Sequence, residues 1–149
     1  MRFLLFILII VLIFALLIRG NAFEDKEGVS TLTIGPTTVQ VEVADTDEER
    51  TLGLSGRESL AENTSLLFVF ETEGYHGIWM KDMNFPIDIA WLDKNKKIIH
   101  IEHNVSPETY PKVFNPPTPS LYVLETNAGV FNSHQINLGT EIEFEIDNL

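Results

Sequence analysis

Apolar and polar residues alternate with a period of two through much of the chain after residue 28. Between 39 and 43 every second residue is a valine, and near the end Ile142, Phe144 and Ile146 alternate with acidic residues. Because successive side chains of a β-strand point to opposite faces, this pattern indicates strands with one buried face and one face in water. Shorter runs bounded by Gly, Pro, Asp and Asn predict further strands at 29–34, 66–70, 77–80, 87–92, 98–103 and 121–125.

A capping motif predicts one short helix. Residues 46–49 read Thr-Asp-Glu-Glu, a spacing at which the side chains of Thr46 and Glu49 satisfy each other's backbone N–H groups. The pattern predicts a helix over 47–54 that ends at Gly53 or Gly56, because glycine commonly follows the last turn of a helix.

These elements predict an all-β fold. Seven or eight short strands with at most two short helices, the second after Asn127, indicate a single small sandwich or a partly closed barrel. The turn at 93–96 is expected to join two strands as a hairpin. The 127 residues after Ala22 suffice for one domain, assigned to 29–149, and the absence of cysteine excludes thiol catalysis and thiolate metal sites.

The start of the chain predicts delivery to a membrane. Sixteen consecutive apolar residues, 3–18, lie between Arg2 and Arg19. As a helix they would be about 24 Å long, close to the ~30 Å hydrocarbon core of a bilayer. We therefore expect this segment to contact the membrane.

The same segment is interpreted as an uncleaved anchor at 1–19 or, alternatively, as a secretory signal that is cleaved after Ala22, where small residues permit cleavage. The anchor is the favoured interpretation. Either one places the domain on the extracytoplasmic side, after a polar linker at 20–28.

The domain is strongly acidic. Residues 1–19 contain two arginines and no acidic residue, so the remainder has 8 basic and 22 acidic side chains and a formal charge of −14. Binding to a phosphate backbone needs a basic footprint, and the one basic cluster is Lys94, Lys96 and Lys97 in a predicted turn. We expect no nucleic-acid partner, whereas a glycan or a protein partner fits the charge.

Five of the seven prolines lie between Pro107 and Pro119. Proline cannot donate to a sheet, so this segment is not predicted to form a central strand. The segment 104–119, about sixteen residues, is also longer than a connection requires. It is interpreted as a crossover connection packed by Tyr110 and Phe114 or, alternatively, as a lid or binding edge.

Several short motifs resemble the successive motifs of a known family. In sequence order they are Val41 to Ala44, Glu49-Arg50, Gly53-Leu54-Ser55-Gly56-Arg57, Leu66 to Phe70, Ile78-Trp79-Met80-Lys81, Pro86-Ile87-Asp88-Ile89, and Val123-Leu124-Glu125 before Gly129. On these motifs the region 39–144 resembles the DUF192 family, also called UPF0127. The resemblance implies a small, often exported or membrane-tethered all-β protein of unassigned function, and it brings no catalytic mechanism. The chain departs from the commonest pattern at Ser55, where methionine is frequent, and at Asp82-Met83, where Asn-Thr is frequent.

Charged residues occur within or beside runs that are otherwise expected to be buried. Lys81 and Asp88 interrupt such runs, and Glu125 ends another. An unpaired buried carboxylate costs several kcal/mol, so Arg57 or Lys81 is the expected partner of Asp88. Together with Trp79, these residues are interpreted as an internal polar network that fastens loops to the sheet or, alternatively, as a ligand pocket.

Catalysis is the less favoured alternative. Asp88 and Glu125 could be the acid and base of a glycoside hydrolase if their carboxyl groups lie roughly 5 to 10 Å apart. The segment His100-Ile101-Glu102-His103 is strand-like, so His100 and Glu102 would converge on one face while His103 points to the other. We therefore predict no catalytic residue, no metal site and no cofactor.

Two functional classes fit the sequence. The first is a membrane-tethered binding module whose exposed aromatic residues stack on a neutral ligand such as a glycan, oriented by Lys81 and Asn84. The aromatic residues meant are Tyr75, Trp79, Tyr110 and Phe114. The second is a structural or protein-interaction domain whose aromatics belong to the core. If Trp79 and Trp91 are both fully buried and no cavity is lined by Lys81, Asp88 and Arg57, the first class loses its support.

Overall fold

The computed structural model describes residues 30–144 and 146. The predicted anchor or signal segment at 1–19 and the linker at 20–28 lie outside the described residues. Within the described part, no helix combines the length and the apolarity that crossing a bilayer requires.

The described residues form nine strands and three short helical segments. The strands are β1 (Ser30–Ile34), β2 (Thr37–Ala44), β3 (Thr64–Gly74), β4 (Ile78–Trp79), β5 (Ile87–Leu92), β6 (Ile98–Val105), β7 (Val113–Phe114), β8 (Ser120–Asn127) and β9 (Glu143–Phe144). The helical segments are α1 (Asp47–Leu52), a 3-10 turn (Pro107–Thr109) and α2 (Val130–Ser133). The predicted strands are present with ends that differ by a few residues, whereas β7 was not predicted.

Seven of these strands form one mixed sheet in the order β6-β5-β8-β3-β2-β1-β9. The pair β2 and β3 is parallel, and the other neighbours are antiparallel. A parallel pair needs a crossover connection, and this one contains α1. The sheet curls into a half-barrel with two short α-helices, which is the partly closed barrel of the predicted alternatives. Strands β4 and β7 pair with each other in a separate small sheet.

Both faces of the large sheet are covered by apolar side chains. We call the face that packs against Phe131 the α2 face; its buried residues include Leu32, Val41, Leu67, Ala90, Leu124 and Ile142. We call the opposite one the loop face; its buried residues include Leu54, Leu66, Phe68, Ile78, Met80, Ile89, Trp91 and Val123. Every residue of β5 is buried as a result, including Asp88, which interrupts a run that was expected to be buried.

The capping motif acts as predicted at the start of α1. The Thr46 hydroxyl accepts a hydrogen bond from the Glu49 N–H at 3.2 Å, and the Glu49 carboxylate accepts one from the Thr46 N–H at 3.0 Å. The helix ends at Leu52, and Gly53 follows with φ 52° and ψ −129°. This backbone conformation is essentially restricted to glycine. Gly53 is thus the helix end, one of the two that were predicted.

The proline-rich segment lies over the loop face. It contains the 3-10 turn and β7, which pairs with β4 through Ile78 opposite Phe114 and Trp79 opposite Val113. No central strand is present in it, as predicted. Phe114 is buried in the core of the loop face, so its predicted role as an exposed stacking residue is wrong, because β7 turns this side chain toward the sheet.

Candidate functional site

A row of aligned residues crosses the loop face of the sheet. Glu42 of β2 is level with Leu66 of β3, and Leu66 is level with Glu125 of β8, which in turn is level with Ile89 of β5. Residues directly opposite each other on neighbouring strands have their side chains on the same face. Glu42 and Glu125 therefore flank Leu66 on the loop face.

Glu125 is a buried acid that lacks a hydrogen-bond partner within 30–144 and 146. Only 4% of its surface is exposed, and burial and attraction by Arg57 act on its carboxyl group without any hydrogen bond. Among the described residues no fully enclosed side-chain oxygen lacks a partner, so the carboxyl oxygens of Glu125 reach the open cavity that this residue lines. Burial raises the pKa of Glu125 to about 8, although attraction to Arg57 acts in the opposite direction. At neutral pH the group is therefore mostly protonated and uncharged.

The nearby cation, Arg57, forms a two-pronged ion pair with Glu42. Its Nη1 donates to Glu42 Oε1 at 2.8 Å, and its Nη2 donates to Glu42 Oε2 at 2.7 Å. These hydrogen bonds raise the pKa of Arg57, against the effect of its partial burial. Arg57 also attracts Glu125. The structure thus brings Arg57 and Glu125 together, as one part of the predicted polar group.

A small cavity of about 50 Å³ opens beside Glu125. Its wall consists of residues 50–55, Phe68, Gly77, Ile78, Trp79, Met83 and Glu125. Two other polar side chains in this wall already have partners. Arg50 donates to the carbonyl oxygens of residues 45 and 69 and to the Asp47 carboxylate, and Ser55 donates to the Lys81 carbonyl oxygen.

Two loops are fastened together at the rim of the cavity. The Ser55 hydroxyl donates to the Lys81 carbonyl, the Gly56 N–H to the Asp82 carbonyl, and the Asn84 side-chain amide to the Arg57 carbonyl, each at 2.8 Å. We call these three hydrogen bonds the rim clamp. Because its amide N–H₂ serves the clamp, Asn84 fixes the loop here, whereas it was predicted to orient a ligand.

Trp79 stands half-exposed at this rim. Its exposed fraction is 47%, whereas Trp91 in the same core is 0% exposed. The Tyr110 ring meets it edge to face with a centroid distance of 6.2 Å, and Lys81 Nζ lies 5.9 Å from the indole centroid. Val113, its strand partner, is exposed as well. We call Trp79, Tyr110 and Val113 the aromatic patch; Tyr75, also exposed, precedes it along the chain.

Asp88 belongs to the opposite side of the sheet. It neighbours Ile89, and its pairing with Thr126 places it on the α2 face, fully buried. Its carboxylate accepts hydrogen bonds from the N–H groups of Asn104 at 2.8 Å, Gly129 at 2.9 Å and Phe131 at 3.1 Å. The prediction that Arg57 or Lys81 pairs with Asp88 is therefore wrong, because backbone donors at the start of α2 satisfy this carboxylate.

The separation of the two acids also bears on catalysis. Asp88 and Glu125 point away from each other across the sheet. They cannot act on one bound substrate as the acid and base of a glycoside hydrolase. The alternative that depended on this pair is therefore wrong.

The histidine motif adopts the arrangement expected of a strand. His100 Nε2 lies 3.1 Å from Glu102 Oε1, while the His103 ring meets Phe131 on the α2 face, 6.4 Å between centroids. In the part of the chain that the structure describes, no three His, Asp or Glu side chains are grouped as a metal site would require.

The sequence did not reveal two components of this site. Glu42 occurs in a strand with an alternating pattern and was expected to face water. The turn after α1 carries no reactive side chain, yet it forms much of the cavity wall. A signal for Glu42 was available in principle, because a partly buried arginine such as Arg57 requires an acidic partner.

Comparisons with known proteins give a family and a fold. Residues 30–144 match the model of DUF192, described as "Uncharacterized ACR, COG1430". A crystal structure from Sinorhizobium meliloti 1021, described as a candidate transcription regulator, is similar with 26% identity and a TM-score of 0.71, covering 77% of this chain and 91% of that chain. A protein of unknown function from Novosphingobium aromaticivorans DSM 12444 is similar with 24% identity and a TM-score of 0.72, covering 82% of this chain and 91% of that chain. No curated protein matches.

Proposed function

The chain belongs to the DUF192 family, and from the geometry of its own site we propose that it is a non-catalytic binding module that holds a neutral glycan against Trp79. The glycan ring would stack on the indole, and the Lys81 ammonium would contact hydroxyl groups at its edge. Of the other predicted site residues, Glu125 lines the same cavity as Trp79, and Arg57 pairs with Glu42 on the loop face.

The half-exposed indole of Trp79 is the observation that carries this proposal. A buried position for so large an apolar ring would stabilise the fold, as Trp91 does in the same core. Trp79 instead lies between a cavity and the Tyr110 ring, and the rim clamp holds the neighbouring loop. Exposed aromatic rings in a fixed orientation suit the apolar faces of sugars.

A neutral ligand fits the charges of the site better than an ion. Arg57 is already paired with Glu42, and the raised pKa of Glu125 keeps that acid uncharged at neutral pH. An anionic or cationic ligand would thus find no unpaired buried charge of opposite sign. The sugar hydroxyl, which both donates and accepts, matches a protonated carboxyl group.

For its location, we propose that residues 3–18 tether the domain to the membrane and that the domain faces the extracytoplasmic side. The apolar run in the sequence supports this placement. We propose no nucleic-acid partner for this chain, although the Sinorhizobium protein is described as a candidate regulator, because an acidic domain repels nucleic acid.

Thermal denaturation with a glycan panel tests the proposal. The full-length protein, purified in a mild detergent, is heated with a series of neutral oligosaccharides, because a ligand of the native state raises the melting temperature. We expect at least one oligosaccharide to do so. In Trp79→Ala we expect a modestly lower melting temperature without ligand, because about half of the indole is buried, and a Kd about tenfold weaker, since stacking contributes roughly 1.4 kcal/mol.

Leu138→Ala is the matched control, because Leu138 is also an exposed large apolar residue but does not line the cavity. It should bind like the wild type. An unaltered glycan affinity in Trp79→Ala, or a panel in which no oligosaccharide raises the melting temperature, would contradict the proposal.

A protein-interaction domain is the second candidate function. It is favoured by two exposed aliphatic residues, Val113 within the aromatic patch and Leu52. A panel of peptides in the same thermal assay would reveal a peptide ligand.

A further inference from the structure

The carboxyl group of Glu125 has no evident role in holding the fold together. It lies on a row between Leu66 and Ile89, in a layer of apolar side chains. Asp88 on the other face receives three backbone hydrogen bonds, whereas no hydrogen bond from a described residue acts on the Glu125 carboxyl group. A leucine or methionine would pack at this position without the loss of hydration that an acid suffers. The acid therefore requires an explanation outside the stability of the fold.

The cavity beside Glu125 limits what can reach it. A water molecule needs at least about 10 to 15 Å³ of such space, so a cavity of about 50 Å³ admits a few waters or one small substituent. A sugar ring does not fit. The ring must stay outside on the aromatic patch while a short arm of the ligand enters.

Trp79 lies at the mouth of the cavity and so connects the cavity with the aromatic patch. Trp79 lines the same cavity as Glu125, and about half of its surface is exposed. Of the other polar side chains of the wall, Arg50 and Ser55 are engaged by partners, and Thr51 is exposed on α1. Glu125 is therefore the buried side chain that remains to meet a polar arm.

We propose that Glu125 binds the hydroxymethyl group of a hexopyranose whose ring stacks on Trp79, so that the site selects hexose glycans over pentose glycans. This inference rests on the proposed glycan-binding function and names its specificity-determining residue. The protonated carboxyl group donates one hydrogen bond to the hydroxyl oxygen and accepts one from the hydroxyl hydrogen. A pentopyranose has no such arm and leaves the acid as unpaired as it is without ligand.

Matched sugars test the proposal in the full-length protein. Oligosaccharides of glucose and xylose differ by the hydroxymethyl group, as do those of galactose and arabinose in the pyranose form. We expect at least a tenfold preference for the hexose member of one pair by calorimetric titration at pH 7. Above pH 8 the preference should decline, because the ionised carboxylate no longer donates and is supported by Arg57 alone.

Two variants separate the role of the acid from that of the fold. Glu125→Gln retains a donor and an acceptor, so we expect it to keep the preference and to show no decline above pH 8. Glu125→Met fills the same space without a polar group and should lose the preference while melting at least as high as the wild type. Glu143→Gln, an exposed acid on β9, is the control and should bind as the wild type does.

The failures of the two proposals are distinguishable. Equal binding of hexose and pentose glycans that still depends on Trp79 would overturn the role of Glu125 and leave the binding function in place. A hexose preference that survives in Glu125→Met would overturn it as well. If neither sugar of any pair binds, the glycan-binding function itself is wrong, and this inference is wrong with it.

Discussion

The two buried acids on the neighbouring strands β5 and β8, Asp88 and Glu125, differ in their hydrogen bonding. The Asp88 carboxyl group accepts hydrogen bonds from three backbone N–H groups in the core. No hydrogen bond from a described residue acts on the Glu125 carboxyl group, and burial raises its pKa to about 8. The difference arises from the neighbours, since Asp88 faces the start of α2 and Glu125 faces a cavity. Residue type alone therefore does not determine the role of a buried carboxyl group here.

Substitution of Asp88 is expected to destabilise the domain strongly. Asp88→Ala removes one acceptor and leaves three buried N–H groups without partners, and each such loss costs about 1 kcal/mol or more. We expect the free energy of unfolding in urea to fall by about 3 kcal/mol or more. Asp93→Ala is the control, because Asp93 accepts two backbone hydrogen bonds in an exposed turn; a similar loss in both variants would contradict the argument.

Glu125 is expected to make stability depend on pH. Its folded-state pKa of about 8 lies above the ~4.3 of an unfolded glutamate, so between these values the folded protein binds more protons than the unfolded one. The free energy of unfolding should therefore fall as pH rises through this window and level off above it. Glu125→Gln lacks this contribution. We expect its stability relative to wild type to increase from pH 5 to pH 8; urea curves that shift in parallel would refute the assignment.

Among the elements, α1 and the turn after it position the site. The helix has six residues and no buried side chain, so side-chain packing contributes little to its stability. The hydrogen bonds at its two ends therefore contribute more. Thr46 and Glu49 fix the start, and Gly53 turns the chain sharply into the cavity wall. The rim clamp then joins this turn to residues 81–84.

Loss of the cap is expected to weaken this element measurably. Thr46→Ala removes the acceptor for the Glu49 N–H, and loss of such a cap typically lowers the free energy of unfolding by about 1 kcal/mol. Thr51→Ala is the matched control, because Thr51 is exposed within the same helix and alanine is the better helix former. Equal denaturation midpoints for the two variants would show that the cap does not stabilise α1.

The elements themselves were largely predictable from the sequence. The alternating runs gave the strands, the Thr46 motif gave α1, and the Asp93 turn joins β5 to β6 as expected, with the Lys96 N–H bonded to the Asp93 carbonyl at 2.9 Å. Strand β7 was missed because two residues between prolines carry no periodic signal. For β5 the apolar residues on both faces indicated that the second face is at least partly covered, but its complete burial could not be inferred, since a period of two does not show how many layers cover a sheet.

At the scale of the whole molecule, the site depends on the order of the strands. Glu42 and Glu125 are 83 positions apart in the chain and lie on either side of Leu66 only because β3 pairs with both β2 and β8. Arg57, Trp79 and Glu125 were identified as candidates from the sequence. Asp88 was grouped with them because the sequence does not show which face of the sheet a side chain on a given strand occupies. Long-range pairing of this kind cannot be inferred from local patterns.

The sheet that divides Asp88 from Glu125 also divides the consequences of mutation. If the loop face binds a ligand as proposed, substitutions above it would alter binding, while the hydrogen bonds that Asp88 accepts from the start of α2 on the reverse side stay in place. Relatives that share this architecture could therefore diversify in recognition at little risk to folding. The residues above the loop face can therefore vary in sequence as long as the residues that hold α2 on the other face are kept.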